Sequence, residues 1–222
     1  MRDVIHLSQN RKYGHVSQIV HPVDVSKYPL FTQAKPMHFE LKAGECIYIP
    51  GGWWHWIVSG GDRCASVNYW FENSTLGTMP VTKPFDMTVP WTDEYLARII
   101  GDETVAVWDT HADVMHFLTF DTFRRDARAK KYYISTVKGY DPGYKNKFII
   151  DALRPDTERI RVNVGAPEDS VTNFWFNYGN VDTRLHYDDY SSIVCVLDGT
   201  KVIDLYPPEQ SEFLYPCRKP SQ

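Results

Sequence analysis

The strongest chemical signal in this sequence is the segment from Thr183 to Asp188, which reads Thr-Arg-Leu-His-Tyr-Asp. Side chains two residues apart point to the same face of a β-strand, so His186 and Asp188 would present an imidazole and a carboxylate side by side. These groups are two-thirds of the facial set of two histidines and one carboxylate that holds Fe(II) and leaves coordination positions open. A simple His–Asp hydrogen bond has the same spacing, so the segment alone leaves both interpretations open.

A second histidine follows a rigid turn in the first third of the chain. The segment from Gly44 to His55 predicts a strand, a Pro-Gly-Gly turn, and a further strand that carries His55. Such an arrangement would project one imidazole from a fixed backbone position. The alternative is a core histidine packed among the neighbouring tryptophans.

The elements that would position these residues are mostly short strands separated by Gly and Pro turns, which favours a sandwich or barrel with flanking helices. Thr92 can cap a helix that ends at Gly101, and Asp121 can cap a second, short helix. Asp198-Gly199 between two apolar runs predicts a hairpin of strands 192–197 and 201–206. Further strands are predicted at 37–41, 46–50, 53–59, 64–71, 131–135 and 171–178.

Composition excludes several classes of protein. The chain has 222 residues, 43% of them hydrophobic and 23% charged, which is a globular balance. Its 24 Lys and Arg against 28 Asp and Glu give a net charge of -4 with no basic stripe, which argues against direct binding of nucleic acid. The longest apolar run, Ile193 to Leu197, is far shorter than the roughly 20 residues that span a bilayer, so no membrane partner is expected.

The cysteines and the N-terminal residues predict an intracellular protein, cytoplasmic or nuclear. The first residues lack the apolar core of a secretory signal. The four cysteines form no Cys-x-x-Cys pair, and most of them lie among strand-like apolar residues, which predicts buried, reduced thiols. These cysteines are Cys46, Cys64, Cys195 and Cys217.

Together, the two histidine segments resemble the cupin-like JmjC family of Fe(II)- and 2-oxoglutarate-dependent oxygenases, and within it the small protein-hydroxylase branch. The resemblance covers roughly residues 15–71 and 83–216 of the chain. It implies a double-stranded β-helix core in one domain over 1–222, in which the half 1–71 carries the distal histidine and the half 83–222 carries the His-x-Asp pair. Other segments that carry the resemblance are Ser66 to Phe71, Phe174 to Phe176, Asp198 to Lys201, and Leu205 to Gln210.

The order of the two halves departs from the family, in which the His-x-Asp segment comes first. Here His55 precedes His186. A circularly permuted domain, with new termini in the loop after Tyr215-Pro216, is the simplest explanation, since exposed loops tolerate permutation. Two others stay open: two copies of a homodimer exchange halves, or the chain is a piece of a longer tandem protein.

The resemblance also implies a role for each candidate residue. His186, Asp188 and His55 would bind iron, while Lys201 would bind the distal carboxylate of 2-oxoglutarate. Thr183 and Tyr133 would contact the same carboxylate, with Tyr132 as the register alternative for Tyr133. Near the metal and cosubstrate the implied residues are Asn68, Trp70 and Ser192, and Ser192 stands where the relatives carry asparagine.

The reaction implied is hydroxylation of a protein or peptide side chain, which consumes 2-oxoglutarate and O2 and releases succinate and CO2. Demethylation of N-methyl lysine is the same chemistry on another carbon. Two interpretations from other classes are a cupin-like binding module without turnover, and a metal-dependent hydrolase or isomerase that does not use 2-oxoglutarate. Lys201 separates the oxygenase from the hydrolase, because only the oxygenase needs a cation for that carboxylate.

Overall fold

A computed structural model describes residues 13–72, 82–84, 91–110, 114–137 and 145–218 of the chain. Its strands are β1 Tyr13–Ser17, β2 Met37–Lys42, β3 Glu45–Ile49, β4 Trp54–Phe71, β5 Thr82–Pro84, β6 Thr104–Asp109, β7 Val114–Thr119, β8 Tyr132–Ser135, β9 Val171–Tyr178, β10 Val181–Asp182, β11 His186–Tyr187, β12 Ser191–Tyr206 and β13 Pro216–Arg218. Its helices are α1 Asp93–Ile100, α2 Phe120–Lys130 and α3 Lys147–Val164, and 3-10 helices cover Pro29–Gln33 and Pro208–Leu214. The prediction of a mainly β protein with flanking helices is confirmed.

The centre of the fold is β12, which has neighbours on both sides. It runs antiparallel to β4 along its whole length, from Ser191 opposite Phe71 to Tyr206 opposite Trp54. On its other side it pairs first with β3 and then with β2. The sheet continues from β4 through β9, β8 and β6 to β7, and in the other direction through β11 and β1 to β13.

Asp198-Gly199 is not a hairpin turn, and that prediction is wrong. β12 passes through these residues as one strand, and its register against β4 shifts on both sides of Asp198. Gly199 has a φ of +73°, and a Cβ there would clash with the carbonyl oxygen of Arg63. The glycine thus allows the strand to bend against its neighbour. Likewise, the two strands predicted at 53–59 and 64–71 form the single bent strand β4.

The two faces of this sheet bury different side chains. One face packs against the helices and forms the largest core cluster, which includes Val67, Phe174 and Leu153. The other face carries Val194, Val196, Ile203 and Leu205, which pack with Leu41, Ile47 and Ile49. We call the face with these four β12 residues the inner face.

The helices were predicted in part. The hydroxyl of Thr92 accepts from the backbone N–H of Tyr95, and α1 ends at Gly101, as predicted. α2 is capped by Thr119 instead of Asp121, which lies inside its first turn. α3 was not predicted. Pro155 lies inside it, and a proline in that position argues against a helix when only the sequence is read.

Two cysteines are bonded, contrary to the prediction of reduced thiols. Cys46 and Cys195 lie directly opposite each other in β3 and β12, with 4.1 Å between their Cα atoms, and form a disulfide. They are 149 residues apart in sequence, so no local spacing indicates the pair. Cys64 and Cys217 are free.

No helix in the described ranges is long and apolar enough to cross a membrane. Most of the polar stretch between the predicted halves, residues 72–84, lies outside the described residues.

Candidate metal centre

Three side chains converge at one end of the inner face. His55 lies in β4, His186 lies in the neighbouring strand β11, and Asp188 follows β11. His186 in β11 lies directly opposite His55 in β4, and the centroids of their rings are 4.2 Å apart. The ligand atoms of His55, His186 and Asp188 all lie within 4.8 Å of one another. Among the residues that the structure describes, this is the only group of three His, Cys, Asp or Glu side chains that could hold a metal.

Both imidazoles are oriented by hydrogen bonds to the backbone. His55 Nδ1 lies 3.0 Å from the carbonyl oxygen of Trp53, and His186 Nδ1 lies 2.6 Å from that of Arg184. A carbonyl can only accept, so each Nδ1 carries a proton, and Nε2 is the ring nitrogen that remains to bind a metal. Metal-binding histidines in proteins usually donate such a hydrogen bond from the ring nitrogen that does not contact the metal.

The site favours a neutral His55. Burial, and then the neighbouring His186, lower the pKa of His55 to about 4, against the opposing effect of Asp188. His55 Nε2 lies 3.8 Å from the Asp188 carboxylate, which is too far for a strong hydrogen bond. Two imidazoles and one carboxylate with a space between them suit a divalent transition metal.

The predicted Pro-Gly-Gly turn fixes the carboxylate segment. The backbone N–H of Gly52 donates to the carbonyl oxygen of Asp188 at 2.7 Å, and the N–H of Gly51 donates to Ser191 Oγ at 3.2 Å. The turn therefore joins the segment that precedes His55 to the segment that follows Asp188.

Lys201 is buried on the inner face beside a neutral partner. It lies opposite Ser59, its side chain points inward with Ile203 and Leu205, and it is 7% exposed. Its Nζ donates to Ser59 Oγ at 2.9 Å. No carboxylate in the described part of the chain lies within 4.0 Å of this ammonium group. Lys201 therefore faces the interior instead of solvent.

Thr183 also lies beside β4. It is held by a pair of bonds to Ile57, whose carbonyl oxygen accepts from Thr183 N at 2.9 Å and whose N–H donates to Thr183 Oγ1 at 3.1 Å. The hydroxyl thus accepts from the backbone and keeps its own proton to donate.

The alternation of β8 selects Tyr133 over Tyr132. Tyr133 lies opposite Asn177, on the inner face, and its ring centroid is 5.6 Å from that of Trp175. Tyr132 belongs instead to the core cluster against the helices.

The remaining predicted residues share the inner face at the other end of β4. Asn68 lies opposite Val194, and Trp70 lies opposite Ser192. Asn68 Oδ1 accepts from the indole N–H of Trp175 at 3.1 Å. The structure therefore brings all nine predicted site residues to one side of the sheet. Their individual roles stay predictions.

Ser59 and Trp175 belong to this set but were not predicted. Ser59 lies four residues after His55 and therefore on the same face of β4, which is a signal that the sequence contains. Trp175 lies in a run of aromatic residues from Phe174 to Phe176, where nothing marks the ring that points inward.

A bent antiparallel sheet with a His-His-Asp group at the end of its inner face is a cupin-type jelly roll with a candidate metal centre. A family model described as "Cupin-like domain" matches residues 4–76 and 86–222 of the chain. The chain belongs to the cupin-like JmjC domain family.

Several curated proteins are similar to the chain. A mimivirus protein named "Putative JmjC domain-containing protein L887" is 30% identical over 251 aligned residues, which cover 95% of this chain and 40% of that protein. The Arabidopsis thaliana "Lysine-specific demethylase JMJ31" is 30% identical over 91 residues, or 41% of this chain and 16% of the relative. The human "Bifunctional peptidase and (3S)-lysyl hydroxylase JMJD7" is 35% identical over 49 residues, or 22% and 15%.

The chain spans less than half the length of each of these relatives. No solved structure matches it.

Proposed function

We propose that the chain is an Fe(II)- and 2-oxoglutarate-dependent oxygenase that hydroxylates a protein side chain. The observation that carries this proposal is the buried ammonium group of Lys201 on the same sheet face as the His-His-Asp group. Burial of a cation without a carboxylate partner is costly, so its retention next to apolar residues such as Ile203 and Leu205 supports an anionic ligand. A metal-dependent hydrolase that does not use 2-oxoglutarate needs no cation for that carboxylate.

The residues of the chain have distinct tasks in this proposal. His55, His186 and Asp188 would hold the metal and would leave coordination positions for other ligands. When bound, Fe(II) with 2-oxoglutarate and O2 supplies the oxidising chemistry, with succinate and CO2 as co-products. Lys201 binds the distal carboxylate of 2-oxoglutarate, and the Thr183 hydroxyl donates to the same group.

The apolar side chains around these groups exclude water. Ile203 and Leu205 follow Lys201 on the same face of β12, Leu205 lies opposite His55, and both are fully buried. A site with little water strengthens the ion pair at Lys201 and protects reactive species from side reactions.

We further propose that one chain forms the complete site from halves in permuted order. The direct pairing of His55 with His186 supports this arrangement. So does the pairing of β1 with β13, in which Ser17 lies opposite Pro216. β1 and β13, which the family's chain order would connect, are therefore neighbours in the sheet.

An anaerobic titration of the chain with Fe(II) and 2-oxoglutarate tests the proposal. We expect the weak visible absorption band of Fe(II) chelated by an oxo acid, at about one site per chain, and its loss in His55→Ala and in His186→Ala. Absence of the band at saturating Fe(II) would exclude the oxygenase and leave a binding module. Recovery of the band on mixing the two variants would replace the one-chain site by a site shared between two chains.

The proposed target is a protein side chain, and the names of two relatives, a lysyl hydroxylase and a lysine-specific demethylase, support this choice. Peptide libraries analysed by mass spectrometry distinguish the two reactions. Hydroxylation raises the mass of the peptide by one oxygen atom, and demethylation lowers it by one CH2 unit.

A further inference from the structure

The bend of β12 changes which of its side chains face inward. Val196 faces inward before the bend, where it packs with the other apolar residues of the inner face. Side chains alternate along a regular strand, so Asp198, two residues later, would face inward as well. Instead it lies opposite Ala65, whose side chain belongs to the core cluster against the helices. Asp198 is therefore turned to the helix-facing side of the sheet.

This turn at Asp198 brings Lys201 to the inner face. From Asp198 onwards the side chains alternate again, and Lys201 and Ile203 point inward. If Asp198 faced inward, the same alternation would turn Lys201 towards the helices. The position of the ammonium group thus depends on the side of the sheet on which Asp198 is held.

Arg63 in β4 holds Asp198 on the helix-facing side. Its Nε donates to Asp198 Oδ2 at 2.5 Å. The same guanidinium group donates from Nη1 to Asp93 Oδ1 at 2.8 Å and from Nη2 to the carbonyl oxygen of Trp91 at 2.5 Å. Asp93 is the first residue of α1, and its carboxylate also accepts from the hydroxyl of Tyr178 at 2.8 Å. Each of the three nitrogen atoms of Arg63 has an acceptor, which fixes the plane of the group.

This network is more specific than an ordinary surface ion pair. The side chains of Arg63, Asp93 and Asp198 are between 24% and 31% exposed. Exposed pairs contribute little, but a planar guanidinium group that donates to two carboxylates requires a defined geometry. The backbone of Arg63 adds a second constraint, because its carbonyl oxygen lies where a Cβ on Gly199 would be. One residue of β4 therefore holds the bend of β12 through both its side chain and its backbone.

We propose that Arg63 and Asp198 are positioning residues for 2-oxoglutarate, because their ion pair keeps Lys201 on the inner face. This inference rests on the proposed function and gives a task in binding to two residues on the opposite face of the sheet from Lys201. They act through the backbone of β12 and not through space, since the charge of a nearby carboxylate by itself would repel an anionic cosubstrate.

The test is the dissociation constant for 2-oxoglutarate, measured by calorimetry on the full chain with Mn(II) in place of iron. Asp198→Ala removes the anchor and allows residue 198 to face inward, so binding should weaken about 10-fold, as for partial loss of a contact with a charged group. A purely electrostatic effect has the opposite sign, because removal of a negative charge favours an anionic ligand. Asp198→Asn keeps an acceptor for Arg63 and should bind within about threefold of the wild type.

Asp62→Ala is the matched control. Asp62 is the acidic residue directly before Arg63 in β4, but its side chain is 95% exposed and its ion-pair partner is Arg128. The substitution removes the same charge near the same bend without touching the anchor. It should leave the dissociation constant unchanged.

A double-mutant cycle with Lys201→Met separates positioning from a general structural role. If Asp198 acts through Lys201, then Asp198→Ala should change the affinity of the Lys201→Met protein by less than about twofold, although it weakens the wild type about 10-fold. A loss of similar size in both backgrounds would mean that the bend supports the fold or the metal centre, and it would overturn the inference.

The remaining outcomes distinguish this inference from the proposed function. If the wild type binds 2-oxoglutarate and a folded Asp198→Ala protein binds it equally well or more tightly, the positioning role is wrong and the oxygenase stands. If Asp198→Ala does not fold, Arg63→Lys carries the test, because it keeps the charge and loses the planar group that joins Asp198 to α1. It should weaken binding at least about threefold, and unchanged affinity would refute the role. If the wild type does not bind 2-oxoglutarate, both proposals fall.

Discussion

Replacement of Lys201 by methionine should separate ligand binding from stability. Methionine has nearly the same length as lysine and removes only the ammonium group. In most buried ion pairs, removal of one partner destabilises the fold because the other charge stays buried alone. Here the partner in the described structure is the neutral hydroxyl of Ser59, so no buried charge is left behind.

The size of the effect follows from the burial of the group. A carboxylate about 4 Å from the ammonium, at an effective dielectric constant of about 20, gains about 4 kcal/mol. Desolvation of the incoming carboxylate offsets part of this, and about 3 kcal/mol remains, which is roughly a 100-fold change in affinity. The free energy of unfolding without ligand should stay the same or rise by about 1 kcal/mol or more, since an unpaired buried charge is lost.

Calorimetry with Mn(II) and 2-oxoglutarate measures the affinity, and urea unfolding without ligand measures the stability. Lys42→Met is the matched control, because Lys42 lies opposite Thr200 on the adjacent strand β2 and is exposed. It should change neither quantity. The reasoning fails if Lys201→Met binds 2-oxoglutarate within threefold of the wild type. A loss of more than about 2 kcal/mol of stability would contradict it too, since the ammonium would then have a structural partner.

Three further predictions concern the fold around the site. The unfolded chain takes up a proton on His55 near pH 6.5, but the folded chain does so only near pH 4. Acidification across this range should therefore lower the unfolding free energy of the metal-free protein by up to about 3 kcal/mol, and urea titrations of His55→Gln should show a shallower pH dependence. Gly199→Ala should destabilise by about 3 kcal/mol or more because its Cβ meets backbone, whereas Gly101→Ala, at φ +58° with open space, should cost about 1 kcal/mol, and equal melting temperatures would contradict the difference. Reduction of Cys46–Cys195 should lower the unfolding free energy by about 3 to 5 kcal/mol, because the bond closes a 149-residue separation, and a non-reducing peptide map that shows both thiols free would refute the bond.

Sequence reasoning identified the three candidate metal ligands because they lie in segments with strong local patterns. The alternation around His186 and Asp188 and the Pro-Gly-Gly turn before His55 are local signals. Their meeting in space, across most of the chain, followed from resemblance to a family and not from any local rule. The reversed order of the two halves did not hide this resemblance, because strand pairing in a sheet does not depend on the order of the strands along the chain.

What the sequence could not show depends on pairings between distant residues. Cys46 and Cys195 carry no mark of their pairing, because the register of β3 against β12 is set by the whole sheet. The partner of Lys201 is Ser59, 142 residues earlier in the chain. α3 was missed for a different reason, because tertiary packing of residues such as Leu153 outweighs the cost of Pro155 inside the helix.

The bend of β12 explains how one strand can serve both ends of the site. Before the bend, even-numbered residues such as Val194 and Val196 face inward, and after it odd-numbered residues such as Lys201 and Ile203 do. A regular strand would keep one parity and would turn Lys201 towards the helices. The two register shifts around Asp198 are therefore what places the ammonium group on the face of the metal centre.

A consequence is that the bend should control binding as well as stability. Gly199→Ala forces the backbone of β12 away from Arg63, so it should disturb the register that turns Lys201 inward. We expect this variant, at a temperature where it is folded, to bind 2-oxoglutarate at least 10-fold more weakly, as if part of the contact with a charged group were lost. Gly101→Ala should bind it as the wild type does. Unchanged affinity in a folded Gly199→Ala protein would show that the inward position of Lys201 does not depend on this glycine.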